Sequence, residues 1–446
     1  MSGKREQWNS RLGFILATVG SAVGLGNVWR FPTVVVQSGG GAFVLLFLLI
    51  VIIVGVPLII AELSLGRASR KNVVTTFSVL APRTKWWLIG VFSLITVFII
   101  LSFYSVIAGW AVIYFLGSVL GIFTGLDSIG LTAINQQLIS SPTVPVFGQG
   151  LFILLTVVIV LVGVTGGIER ISKIVMPSIV MILLVLLIRT LTLDGAIEGV
   201  IWFFRPNLAL INFNTALDAL GQVFFSFSLG MGAILTYGSY LSDEEDIPKS
   251  ALIIGVSDVG IAILMGLIVI PAMFVFNIEP GIGPAVVFVT LPAIFNTLPA
   301  SIFWSSLFFV MLAFAALTSA VSLLEVTAAY IVDQIGWSRK KAAITMGLAV
   351  FAFGLPATLS QGVLAHFTIL NFSILDFMDF ITSSIFLPVG GLLIVIFLGW
   401  VWGTQKAVSE IKKGSPRFAL AKIWSFLIRY IMPVVILYIF ISGIIG

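Results

Sequence analysis

The residues best suited to site chemistry are Gly20, Gly24, Gly26 and Asn27, in the stretch GSAVGLGN at 20–27. They interrupt an apolar run, 12–36, that is long enough to cross a bilayer as a helix. Each glycine costs a helix about 1 kcal/mol relative to alanine, and Arg30 and Pro32 follow within the next turn. The spacing predicts a broken transmembrane helix. Unwound backbone at membrane depth is tolerated only where it is buried in protein or lines a cavity. Its freed carbonyls and amides therefore face something polar, and the chemistry implied is coordination of a guest rather than the making of bonds. A second interruption, FSFSLGMG from Phe225 to Gly232, falls five spans later. Glycines in one helix are also explained by close helix packing. Two interruptions in corresponding positions instead point to a transporter's binding site at the bilayer midplane.

Elements that could hold such a site are abundant. The chain is 59% hydrophobic and 9% charged, a balance that soluble domains do not have. Apolar segments lie near 12–36, 41–65, 87–120, 149–167, 174–193, 214–241, 250–277, 300–332, 341–359, 371–402 and 422–445. Eleven spans are expected, in an all-α polytopic membrane protein. Most of the 23 Lys and Arg fall in alternate loops, among them Arg67, Arg70, Lys71, Arg339, Lys340, Lys412 and Lys413. The positive-inside rule places those loops and the amino terminus in the cytoplasm, which puts Gly446 outside. No cleavable signal peptide is expected, because the first apolar run is too long and lacks a cleavage site. The acidic run Asp243–Asp246 reads as a solvated loop. The net charge of +5 sits in membrane loops and is no nucleic-acid signal. With no cysteine and one histidine, His366, thiolate and His-rich metal sites are excluded, and no Ser/His/Asp set or phosphate loop points to an enzyme.

RLGFILATVGSAVGLGNVWRFP at 11–32, SGGGAF at 38–43, GQVFFSFSLGMGA at 221–233, LTSAVSLLE at 317–325 and LDFMDF at 375–380 together resemble the neurotransmitter:sodium symporter family. The resemblance covers spans one to ten. It implies the leucine-transporter fold: one transporter domain with a five-plus-five inverted repeat, repeat one about 11–194 and repeat two about 212–402, helices 1 and 6 broken, and an extra helix about 422–445. It also implies sodium-driven uptake of amino acids or related amines by alternating access at the cell membrane.

Site residues follow from the same resemblance. Sodium favours oxygen ligands, and the family's first sodium site maps onto the Ala22 carbonyl, Asn27 and Ser226. Asp258 in span seven stands close by, with Ser257 as the alternative if the register differs by one. The second site maps onto the carbonyls of Gly20, Val23 and Ala315 and the hydroxyls of Thr318 and Ser319. Taken alone, those two hydroxyls are better explained by bonds to carbonyls of their own helix, and it is the LTSA context that reverses this. A half-helix starting at Leu25 and Gly26 offers amides and a positive dipole end to a substrate carboxylate, and Tyr104 matches the family tyrosine that binds it. Family members carrying monoamines hold an Asp at Gly24, so glycine there implies a substrate that brings its own carboxylate. The side-chain pocket is expected from Ala22, Val23, Gly26, Tyr104, Phe225, Ser228, Met231 and Leu323. These side chains are mostly apolar and suit a neutral hydrophobic L-amino acid.

Arg30 and Asp379 match an outer gate pair, with Phe225 as a lid. Arg5, Trp8, Tyr240 and Asp333 match an inner gate. Glu62 and Glu325 are buried carboxylates, for which backbone hydrogen bonding is as good an account as transport. Gly167 and Pro177 resemble a family motif that lets the start of span five unwind. Two sodium ions are expected as cofactors and chloride is not, because the Asp258 carboxylate can supply the negative charge. The expected partners are the amino acid, the lipid bilayer and at most a second copy of the chain.

Overall fold

The computed structural model describes residues 6–276 and 286–445. Nine of its helices are long and apolar enough to cross a membrane. Span two is Gly41–Ser69, three Trp87–Val119, four Val144–Leu161, five Val164–Leu191, seven Ile247–Phe276, eight Ser301–Ile335, nine Arg339–Leu359, ten Ile374–Lys412 and eleven Ala421–Tyr438. Span one is a bent pair, Arg11–Ala22 and Gly26–Gln37, whose axes differ by 57°. Span six is also split, into Phe213–Ser226 and Ala233–Gly238. Among the described residues this makes ten candidate spans by length and composition, and the split sixth segment brings the number to the expected eleven. One boundary differs from the sequence reading. Spans four and five meet at Val162 and Gly163, so Arg170 and Lys173 belong to the helix of span five rather than to a loop. Gly163, at φ +102°, makes a reversal too tight to leave the polar loop that the pattern suggested.

The break in span one comes from its glycines. The Gly24 amide donates to Asn27 Oδ1 at 3.3 Å instead of continuing the helical ladder. In span six, Ser228, Gly230 and Gly232 all have positive φ (52°, 82° and 80°), which two glycines adopt freely and a serine does not. The strained Ser228 is held by donating through Oγ to the Ser21 carbonyl at 3.1 Å. Span six thus satisfies carbonyls at the break of span one, those of Ser21 and Gly26. Glu62 of span two completes the arrangement, its Oε1 accepting from the Gly230 amide at 2.8 Å. That contact favours the backbone-bonding account of this carboxylate.

Close approach of backbones seats the second half of span six. A Cβ on Gly238 would lie 2.8 Å from the Leu63 carbonyl. On the face bearing residues 6–10 (the basic face), Arg67 is fully buried. Its Nε meets Glu410 Oε1 at 2.9 Å, and its guanidinium also donates to the Glu245 and Glu410 carbonyls. Asp243 pairs with Arg70 at 2.8 Å and Lys413 at 3.7 Å, and Glu245 with Arg11 at 3.1 Å. The acidic run is therefore a loop, exposed at Asp243 and Glu244 as expected, that also links spans one, two and ten through ion pairs. Partial burial pushes the Asp243 carboxyl up, but the hydrogen bond and charge of Arg70, with Lys413 and Arg67, outweigh it and hold the pKa below the usual aspartate value.

Candidate functional site

The two breaks face each other across a small cavity at mid-membrane depth. It is lined by Ser21, Ala22, Gly24, Leu25 and Gly26 of span one, Ile100 and Tyr104 of span three, and Phe225, Ser226, Ser228 and Met231 of span six. Ser319 and Leu323 of span eight and Thr382 and Leu387 of span ten close it. Its own volume is only about 30 Å³. A larger cavity of about 860 Å³ lies elsewhere, around Trp202, Arg205 and Asp218. The smaller one lies between the two breaks, beside Asn27, Asp258 and Ser319, and is the candidate site.

At one end, the Asp258 carboxylate bridges the two broken helices. Its Oδ1 accepts from Asn27 Nδ2 at 2.9 Å and its Oδ2 from Ser226 Oγ at 2.6 Å. Asp258 is completely buried, and among the described residues no basic side chain pairs with it. A buried carboxylate without a counter-charge is costly, and a cation among these oxygens would compensate it. Ser257 is half-exposed and meets neither Asn27 nor Ser226. Adjacent helical positions lie about 100° apart around the axis, so only one of the two can point inward, and it is Asp258.

At the other end, Ser319 Oγ lies within 3.2–3.4 Å of four carbonyls, those of Gly20, Ser21, Val23 and Ala315. A hydroxyl has one proton and serves one acceptor at a time. The cluster is thus richer in acceptors than in donors, which suits a hard cation. Thr318 turns its hydroxyl to the Ala315 carbonyl at 3.0 Å, the within-helix bond that a lone threonine commonly makes.

Between the two clusters, the Leu25 amide donates to the Tyr104 hydroxyl at 3.3 Å. A Cβ on Gly24 would lie 2.9 Å from that hydroxyl and 2.7 Å from Ser319 Oγ. No side chain fits there, and the exposed amides at the start of the half-helix suit a carboxylate. Of the expected pocket residues, only Val23 lies outside the lining: its side chain is buried among helices while its carbonyl faces Ser319.

The gate residues divide. Trp8 donates through Nε1 to the Tyr237 carbonyl at 3.1 Å and packs edge-on against Tyr237 and Tyr240. The Tyr240 hydroxyl donates to Glu325 at 2.6 Å, and Arg339 pairs with the same carboxylate. Glu325 therefore belongs to the closure of the basic face. Asp333 accepts from Asn72 Nδ2 at 3.3 Å, and Arg5 lies outside the described residues. At the opposite end, Arg30 rests on the Phe225 ring, 4.8 Å from its centroid, and no ion pair joins it to Asp379. Arg30 feels the charges of both Asp379 and Asp218.

Ser21, Ile100, Thr382 and Leu387 were missed in the sequence. Ser21 carried a signal, a hydroxyl inside the glycine stretch, and it pairs with Ser322 at 2.7 Å. The other three are ordinary residues of long helices, and nothing local distinguishes them.

Paired broken helices and oxygen clusters around one cavity are the marks of a membrane transporter. The family model for the Sodium:neurotransmitter symporter family matches residues 5–124 and 136–446. An uncharacterized sodium-dependent transporter of Bacillus subtilis, YhdH, is 38% identical over 98% of this chain and 98% of its own. Another from Haemophilus influenzae is 34% identical over 99% and 98%. The crystal structure of MhsT in complex with L-phenylalanine superposes with a TM-score of 0.91 at 43% identity, covering 98% of this chain and 100% of that one. The chain belongs to the sodium:neurotransmitter symporter family: it is a sodium-dependent transporter with the leucine-transporter fold, and not an enzyme.

Proposed function

We propose that this transporter imports a neutral, hydrophobic L-amino acid, driven by two sodium ions and without chloride. The observation that carries the substrate class is the lining of the cavity. Around the half-helix amides that suit a carboxylate, the side chains of Ala22, Ile100, Phe225, Met231, Leu323 and Leu387 are apolar, and only Ser21, Tyr104, Ser228 and Thr382 add hydroxyls beyond the cation clusters. A charged substrate side chain would stand unpaired there, at a cost of several kcal/mol. An apolar one gains about 25 cal/mol per Å² buried. Met231 is flexible enough to fit several shapes. The structure of MhsT with L-phenylalanine supports the same class.

In this reading one sodium ion lies among the Ala22 carbonyl, Asn27, Ser226 and Asp258, and the other among Gly20, Val23, Ala315, Thr318 and Ser319. The basic face is the cytoplasmic one and is closed by Trp8, with Arg5 and Asp333 as an ion pair of that gate. Arg30 and Asp379 come together over the substrate when the outer side shuts. Proteoliposomes loaded under a sodium gradient test the proposal. Uptake of labelled leucine, phenylalanine or tryptophan should require sodium and survive replacement of chloride by gluconate. If glutamate, lysine or glycine competes better than these three, the pocket assignment is wrong. Equal binding in sodium and potassium would refute ion coupling.

A further inference from the structure

Glu169, in the first turns of span five, has no part in the substrate cavity or the cation clusters, yet it is almost completely buried. Its Oε2 accepts from the Asn9 amide at 2.9 Å, and its Oε1 from Ser10 Oγ at 2.8 Å and Lys173 Nζ at 2.6 Å. Ser10 caps the first half of span one, accepting from the Gly13 amide at 3.1 Å. A side chain on Gly13 would overlap the Glu169 carboxylate, so the helix is shaped to seat it. A second carboxylate repeats the contact: Glu6 Oε2 accepts from the Val164 amide at 2.9 Å.

The segment clamped in this way is the weak end of span five. Pro177 lies inside the helix and leaves the Lys173 carbonyl without its amide partner. Two turns above Glu169, Met176 Sδ stands 3.2 Å from where a Gly20 Cβ would be, beside Thr318 of the second oxygen cluster. One helix therefore touches the cation cluster at one point and the end of broken span one at another, with its weakest hydrogen bonding in between.

We propose that Glu169 is a positioning residue that latches the start of span one to the start of span five, so that the two part together when the basic face opens. The inference rests on the transport cycle proposed above. In the arrangement described, the latch bonds are made while Trp8 packs on Tyr237 and Tyr240; if they break on opening, they favour the closed state over the open one. Removing one charge-assisted, buried bond shifts such an equilibrium roughly tenfold or more.

The absence of native cysteine allows a direct test. Ser172, buried one turn from Glu169, is changed to cysteine, and its reaction with a membrane-impermeant maleimide from the basic face is timed in sodium and in potassium. The parent should react slowly in sodium. Adding Glu169→Gln or Glu169→Ala should speed the sodium-state reaction about tenfold, with Ser10→Ala and Lys173→Gln moving it the same way by less. A merely structural Glu169 would lower thermal stability and leave the sodium-state rate unchanged. An unchanged rate in folded Glu169→Ala overturns the latch. If the Glu169 variants do not fold, an unchanged rate in both Ser10→Ala and Lys173→Gln overturns it equally. A parent that responds to sodium while the variants do not differ from it leaves the transport reading standing. A parent indifferent to sodium, potassium and substrate overturns both.

Discussion

Asp258→Asn isolates charge from geometry at the first oxygen cluster. The carboxylate holds Asn27 Nδ2 at 2.9 Å and Ser226 Oγ at 2.6 Å. An asparagine of the same shape can preserve both contacts, accepting from Asn27 with its oxygen and donating to the Ser226 hydroxyl, which can turn to accept. Packing and hydrogen bonding thus survive, and one buried negative charge is lost. A sodium ion about 4 Å from a carboxylate gains about 4 kcal/mol at an effective dielectric constant of 20. Halving that for relaxation and for the ligands that remain leaves about 2 kcal/mol, or roughly thirtyfold in sodium affinity. The assay is equilibrium binding of labelled phenylalanine across a sodium titration, in chloride and in gluconate. Wild type should give the same half-saturating sodium in both anions. The variant should need at least about tenfold more sodium, part of which chloride restores. A wild type that requires chloride, or a folded variant with unaltered sodium dependence, would refute the assignment.

Gly24→Ala should weaken substrate binding roughly ten- to hundredfold, because the added methyl presses on both Tyr104 and Ser319 and overpacking costs about 1–3 kcal/mol; competition binding measures it, and unchanged affinity would mean that the carboxylate binds elsewhere. Arg67→Ala should leave the Glu410 carboxylate with Lys413 alone and two carbonyls without their donor, destabilising the fold by about 1–3 kcal/mol; thermal unfolding in detergent checks this, and a midpoint within a degree of wild type would show that these bonds are dispensable.

The sequence announces some of these features plainly and is silent on others, for physical reasons. Breaks in spans one and six are visible because glycine and serine are costly in a membrane helix and stand out against Leu and Ile. Asn27, Ser226 and Asp258 are visible because polar groups at that depth need a purpose. Whether Ser257 or Asp258 faces Asn27 is a question of helical phase, which packing decides. The ion pairs of the Asp243–Asp246 loop are not legible in the sequence because its partners, Arg67, Arg70, Lys413 and Arg11, are scattered through the chain. The turn at Gly163 hid inside a continuous apolar pattern, since one glycine at φ +102° reverses the chain without a polar residue.

The divided sixth span has a consequence for how the protein is made. Its halves of 14 and 6 residues would reach only about 21 Å and 9 Å as helices, against a hydrocarbon thickness of about 30 Å. Neither half can settle alone in lipid, and the stretch joining them exposes bare amides. Some of the groups that receive it, Ser21 and Glu62, are synthesised earlier, whereas Asp258 follows about one span later. Spans one and two must therefore already be in place as a template, and the sixth span stays provisional at the insertion machinery until the seventh emerges. Mutations at Glu62 should then appear first as a failure of membrane integration in the middle of the chain, before any transport is measured.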